Sequence, residues 1–132
     1  MILGLNHITI AVSDLARSLE FYIDVLGFKG HVKWQHGAYL SVGDLWFCLS
    51  VDTPSTRTDY SHIAFDIAKA DFDKFKTRIA EHNIPLWKNN KSEGDSLYFL
   101  DPDGHQLEVH IGSLNTRLQA LKLRPYDNLE WL

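Results

Sequence analysis

Cysteine is nearly absent from this sequence. Cys48 is the only one among 132 residues, so no internal disulfide can form, and this usage fits a reducing cytoplasm. Long hydrophobic runs are also missing. None approaches the ~20 residues a membrane-spanning helix needs. Met1 to Val12 is apolar but has no basic leader, and Asn6 and His7 interrupt it, so it reads as a strand and not as a signal peptide. There is no excess of positive charge: 13 Lys and Arg face 17 Asp and Glu, a net charge of −4. That argues against a nucleic-acid binder and leaves room for a local basic pocket. Low-complexity segments do not occur. The length suffices for one compact domain with a core and is too short for two independent ones.

What the sequence does contain is a repeat. His7-Ile8-Thr9-Ile10-Ala11-Val12-Ser13-Asp14 and His62-Ile63-Ala64-Phe65-Asp66-Ile67-Ala68-Lys69 are two histidine-led strands 55 residues apart. Self-similarity at this scale is an architectural signal. Two similar halves can bring two histidines to related positions about a pseudo-twofold axis.

Each half has the same order of elements. Residues 5–12 read as a buried strand rich in β-branched side chains. Asp14 is a candidate N-cap for a helix over 15–26, with Leu15, Leu19, Tyr22 and Leu26 at helical spacing and Gly27 as the stop. Strands follow near 28–34, 38–42 and 45–51, with Gly37 and Gly43-Asp44 at the turns. After a connector at 52–58, a strand near 60–67 leads to a helix near 70–82, with Phe72, Phe75 and Ile79 on one face. Strands near 84–88, 96–100 and 106–111 come next, the last two joined by the turn Asp101-Pro102-Asp103-Gly104. A short helix near 114–122 and an aromatic tail complete the chain.

The class expected is α+β: two βαβββ modules, about 4–52 and 59–112, in a single domain with a C-terminal helix and tail at 113–132. This resembles the vicinal oxygen chelate superfamily, whose paired modules form a cup around a divalent metal. At this level the resemblance implies fold and a metal-centred cleft only.

Alternation along Gln106-Leu107-Glu108-Val109-His110 puts Glu108 on one face with Gln106 and His110. An unpaired carboxylate among apolar neighbours is costly, and a cation would offset that cost. His7, His62 and Glu108 make a two-histidine, one-carboxylate set suited to a divalent first-row metal with open positions. The symmetry-related position in the first half falls at Phe47 or Cys48. His31, His36, His82, His105 and His110 read as surface residues or as supports behind the ligands.

The segment Lys88-Asn89-Asn90-Lys91-Ser92-Glu93-Gly94-Asp95-Ser96 is polar and flanked by lysines. By composition it reads as a solvated hairpin turn. Taken with Gly4-Leu5-Asn6-His7, Gly37-Ala38-Tyr39-Leu40, Leu45-Trp46-Phe47-Cys48-Leu49-Ser50, Asp59-Tyr60-Ser61-His62 and Tyr98-Phe99-Leu100-Asp101-Pro102-Asp103-Gly104-His105, it closely resembles the FosA-type fosfomycin-resistance glutathione transferases.

That resemblance spans residues 3 to about 126 and implies roles. The metal, Mn²⁺ or another divalent ion, would sit on His7, His62 and Glu108. Lys88 and Arg117 would be the cationic contacts of the phosphonate, and Ser92 and Tyr98 its hydroxyl donors. Asn90, Ser92, Gly94 and Ser96 would hold K⁺ in the loop. Thr9 would contact the epoxide oxygen, Tyr39 the attacking thiol, and Trp46 would wall the substrate carbons. Trp34, Ser50 and Lys91 would line the glutathione channel. His36 and Lys91 stand where relatives also carry Gln and Arg, which bears on thiol affinity. The family pairs its modules across a domain-swapped homodimer, with His7 from one subunit and His62 and Glu108 from the other, and the tail from Arg124 to Trp131 is expected to cover that interface. The reaction implied is opening of the fosfomycin epoxide by glutathione, in the cytoplasm, without nucleic-acid or membrane partners. The alternatives are an epoxide hydrolase, a bacillithiol transferase, or a non-catalytic drug-binding protein of the same superfamily. A glyoxalase or extradiol dioxygenase would share the metal logic and leave the lysine, serine and tyrosine loop unexplained.

Overall fold

The computed structural model describes residues 1–132. The chain divides into two compact units, Met1–Ser61 with Leu100–Gln106, and His62–Phe99 with Leu107–Leu132. The turn at 100–106 falls in the first unit.

In the first unit, β1 (His7–Val12) ends at Asp14, whose carboxylate caps α1 (Leu15–Leu19) by accepting from Arg17 N at 3.0 Å. The helix expected over 15–26 is regular only to Leu19. From Glu20 to Val25 it widens into a π-helical turn, with Leu26 N donating to Phe21 O at 3.0 Å. The wider turn buries two consecutive aromatics, Phe21 and Tyr22, edge to face at 5.0 Å. Leucine spacing does not register such a change of hydrogen-bond step. Gly27, at φ +84°, ends the segment as expected.

Three strands follow: β2 (Lys29–Trp34), β3 (Gly37–Val42) and β4 (Leu45–Val51). The sheet order is β1-β4-β3-β2, with β1 parallel to β4 and the other pairs antiparallel. Alternation separates two faces. Ile10, Val12, Ala38, Leu40, Phe47 and Leu49 are buried in the core, where Phe47 meets Tyr22 at 5.0 Å. The opposite face carries His7, Thr9, Trp46, Cys48, Ser50, Tyr39 and Trp34: Thr9 and Tyr39 both pair with Cys48, His7, Trp46 and Ser50 lie two residues from these, and Trp34 lies two residues from Val32, the partner of Tyr39.

The turn at 100–106 is clasped within this unit. Tyr22 Oη donates to Asp101 Oδ2 at 2.7 Å, Asp103 N and His105 N donate to Asp101 Oδ1 at 3.0 and 2.8 Å, and His105 Nε2 donates to Ala11 O at 2.7 Å. His105 is therefore a structural clasp. Burial pushes the Asp101 carboxyl above the ordinary carboxylate range, against the opposing pull of the Tyr22 and His105 contacts.

A raised native pKa means that the contribution of Asp101 to stability is complete below the ordinary carboxylate pKa. It is lost as pH rises through the native value. Asp101→Asn keeps the hydrogen-bonding shape and cannot ionise. Its stability relative to wild type will therefore increase as pH rises across that window, as read by urea unfolding at a series of acid pH values.

The second unit repeats the topology. β5 (Ile63–Asp66), α2 (Lys69–Glu81), β6 (Leu86–Lys88), β7 (Ser96–Leu100) and β8 (Gln106–His110) form a sheet in the order β5-β8-β7-β6, with β5 parallel to β8. Phe72 and Ile79 of α2 are buried, and Phe75 packs on Phe99 at 5.5 Å. The register also settles the alignment left open by the sequence. Ala64 pairs with Glu108 as Thr9 pairs with Cys48, so Cys48 is the counterpart of Glu108, and Phe47 faces the core. After β8, α3 (Leu114–Leu123) opens on a capping box between Ser113 and Thr116.

Candidate active site

On the first sheet, the exposed face forms a row of rings. Trp34 stands edge-on to Tyr39 at 4.8 Å, Tyr39 edge-on to Trp46 at 5.1 Å, and Trp46 lies 4.5 Å from the His7 imidazole. Trp46 and Tyr39 each remain 39% exposed, large for aromatic side chains on a sheet. Thr9 and Ser50 project from the same face. Gly37 is required there, since a Cβ would meet Leu49 O at 2.6 Å and the Trp34 ring at 2.8 Å. His7 Nδ1 donates to Asn6 Oδ1 at 2.8 Å. That bond leaves Nε2 as the lone-pair nitrogen, the form a metal-binding histidine needs.

In the second unit, His62 Nε2 lies 2.9 Å from Glu108 Oε2. Metal–nitrogen and metal–oxygen bonds of about 2.0–2.2 Å, set at a right angle, separate their donor atoms by about 3 Å. The pair is thus spaced as two adjacent ligands. Glu108 is 6% exposed, and its other oxygen, Oε1, accepts from Ser96 Oγ at 2.6 Å. Both the chemistry and the spacing of this pair fit a divalent cation. No group of three His, Cys, Asp or Glu side chains that could hold a metal forms within the chain.

The expected phosphonate residues gather in the same unit. Lys88 Nζ lies 4.7 Å from the centre of the Tyr98 ring, and that ring stands 6.1 Å from the imidazole of His62. Arg117 donates to Ser92 Oγ at 3.3 Å, so the expected cation and hydroxyl are neighbours. Arg117 also holds the Glu93 carboxylate at 3.2 Å and Glu93 O at 3.2 Å. Burial would lower its pKa, but the bonds from Glu93 and Tyr126 outweigh this and raise it.

The loop at 90–96 closes on itself. Asn90 Nδ2 donates to Gly94 O at 2.7 Å, while Asn90 Oδ1 accepts from Ser92 N and Oγ. Gly94 has φ +75°, and a Cβ there would sit 2.5 Å from Ile111 O. Only glycine fits both constraints. Lys91 is exposed.

Two of the following contacts have no signal in the sequence, and the third has one. Asn6 orients His7, Glu93 pairs with Arg117, and His110 contacts Ser96 at 2.6 Å. The signal is that of His110, which alternation puts on the Glu108 face and the sequence reads as a surface or supporting histidine.

Two four-stranded sheets of equivalent strand order, one led by His7 at the start of β1 and the other by His62 just before β5, define a class. Residues 4–109 match the Glyoxalase/Bleomycin resistance protein/Dioxygenase superfamily, and the chain belongs to it. Its relatives narrow this to the Fos proteins. The chain is 50% identical to "Glutathione transferase FosA" of Serratia marcescens, over 98% of this chain and 95% of that protein. It is 38% identical to "Metallothiol transferase FosB" of Staphylococcus epidermidis, over 97% and 98%. Among solved structures, the fosfomycin resistance protein FosX from Mesorhizobium loti superposes with TM-score 0.78 at 34% identity, covering 89% of this chain and 99% of that one. A FosX variant from Listeria monocytogenes, complexed with Mn(II) and 1S,2S-dihydroxypropylphosphonic acid, superposes with TM-score 0.79 at 29% identity over 90% and 99%. No helix is long and apolar enough to cross a membrane.

Proposed function

We propose that this chain is a metal-dependent glutathione transferase that inactivates fosfomycin by opening its epoxide. The observation that carries this reading is the conjunction of the His62–Glu108 pair with Lys88, Tyr98, Ser92 and Arg117 in one unit. It is supported by 50% identity to a glutathione transferase along nearly the whole chain. His62 and Glu108 of one subunit, with His7 of a second, would hold the divalent ion. Mn²⁺ is favoured by its presence in the FosX complex. Bound there, such an ion would supply Lewis acidity for opening the epoxide.

The chain's own residues do the rest. Lys88, Arg117, Ser92 and Tyr98 bind the phosphonate through charge and hydroxyl donation. Arg117 exchanges its Glu93 partner for the incoming anion. Asn90, Ser92, Gly94 and Ser96 would hold K⁺ through their oxygens, and its charge would add to that of the phosphonate site. Thr9 donates to the epoxide oxygen. Tyr39 receives or orients the thiol proton, which matters because a free thiol titrates near ~8.5. Trp46 shields the substrate carbons, and Trp34, Ser50 and Lys91 line the approach of the tripeptide. A C–S bond forms as one epoxide C–O bond breaks, and the ring oxygen ends as a hydroxyl carrying the proton the thiol gave up. A reaction that uses a reduced thiol fits a cytoplasmic homodimer.

Product analysis of protein loaded with Mn²⁺ and K⁺, with fosfomycin and with or without glutathione, tests the reading. A glutathione adduct formed only when the thiol is present is the expected result. A diol formed without thiol would make the protein a hydrolase, and bound but unaltered drug would make it a sequestering protein.

A further inference from the structure

We propose that His110 is a positioning residue for the metal-binding carboxylate, acting through the hydroxyl of Ser96. This rests on the reading of His62 and Glu108 as metal ligands.

The argument starts from the hydrogen atoms. Ser96 Oγ lies 2.6 Å from Glu108 Oε1 and 2.6 Å from His110 Nδ1. A carboxylate oxygen can only accept, so the single hydroxyl proton points to Glu108. The contact with His110 is then an Nδ1–H donated to the Ser96 oxygen. In that direction the bond fixes the hydroxyl rotor: Ser96 cannot turn its proton toward His110, whose facing nitrogen already carries one. The chain His110 Nδ1–H to Ser96 O–H to Glu108 thus runs one way and ends on the oxygen that does not face His62. It holds the carboxylate plane so that Oε2 stays beside His62 Nε2 at 2.9 Å.

The imidazole is itself held in place. A Cβ on Gly94 would lie 2.9 Å from His110 Cε1, and one on Gly112 would lie 2.9 Å from His110 Nε2. Two glycines therefore flank the ring at contact distance, and the side chain is only 18% exposed. Gly94 belongs to the loop that opens at Asn90, so the packing of that loop and the orientation of the metal ligand share one ring. A residue that merely filled space here would need neither the donor at Nδ1 nor the short contact to Ser96.

The test compares His110→Leu, which keeps bulk and removes the donor, with His110→Asn, whose side-chain amide can take the place of Nδ1–H. The readout is the Mn²⁺ dissociation constant of the homodimer, from the electron paramagnetic resonance of free Mn²⁺, with Glu108→Gln as control. Loss of a group that orients a metal ligand weakens metal binding by about 10- to 100-fold. That loss is expected for His110→Leu, with most of it recovered in His110→Asn. Wild-type Mn²⁺ affinity in His110→Leu, or no recovery in His110→Asn, would overturn the proposal. Wild-type affinity in Glu108→Gln would instead overturn the metal reading on which it rests. Should His110→Leu not fold, Ser96→Ala severs the same link: weaker Mn²⁺ binding is expected, and wild-type affinity would overturn the proposal.

Discussion

Glu108→Gln will abolish measurable Mn²⁺ binding at micromolar metal and lower turnover of fosfomycin by about 10²- to 10³-fold, while the protein stays folded. The size follows from what a Lewis acid contributes to an oxyanion forming in the transition state, several kcal/mol, at about 1.4 kcal/mol per tenfold in rate. The fold survives because glutamine is the same shape: its carbonyl oxygen can still accept from Ser96, and its amide can donate to a neutral His62. Metal titration together with far-ultraviolet circular dichroism checks both halves of the expectation. Retention of metal and turnover would remove Glu108 from the site.

The same variant tests the proposed sharing of the site between two subunits. His7→Ala should be equally inactive. A heterodimer of the two variants keeps one complete set, His7 from one subunit and His62 with Glu108 from the other. Random subunit exchange at equal concentrations makes half the dimers mixed, each with one of two sites intact. Mixing should therefore restore about a quarter of wild-type activity if the ligands come from two subunits related by a twofold axis. A mixture that stays inactive would mean that all three ligands serve the metal within one chain.

Phe47→Ala will destabilise the protein by about 3–5 kcal/mol, the cost of deleting a buried aromatic and leaving its cavity. Phe47 is fully buried and meets Tyr22 at 5.0 Å and Phe28 at 5.4 Å, so two aromatic neighbours lose contact. Against a typical stability of about 5–15 kcal/mol, such a loss shifts the unfolding midpoint strongly. Trp46→Ala, one residue earlier, should do the reverse. Trp46 projects from the other face, against His7 and Tyr39, and its removal should spare the unfolding midpoint and raise KM for fosfomycin. Urea unfolding and steady-state kinetics on the two variants distinguish the faces. A Trp46→Ala protein as unstable as Phe47→Ala would place both residues in the core.

Much of this architecture was legible because its signals are local or periodic. Alternation assigned the faces of β8, since successive side chains of a strand point opposite ways. Asp14, Gly27 and the turn Asp101-Pro102-Asp103-Gly104 marked boundaries through capping and backbone freedom, which neighbouring residues determine. The repeat of a histidine-led strand announced two equivalent sheets, and both have the same strand order. For these features the sequence alone was sufficient: the α+β class, the two βαβββ modules, and the face of β8 that carries Glu108.

What required the folded chain were the partners. Whether Phe47 or Cys48 answers to Glu108 depends on strand register, and a slip of one residue exchanges the two faces of a strand. The π-helical turn at Glu20–Val25 arises because Phe21 and Tyr22 are both drawn into one core, a tertiary demand that overrides helical spacing. Asn6 on His7, Glu93 on Arg117 and His110 on Ser96 are contacts among groups that periodicity leaves unranked. A pattern of polar and apolar residues states which way each side chain points. Which donor meets which acceptor follows only once turns, bulges and packing have set the strands beside one another.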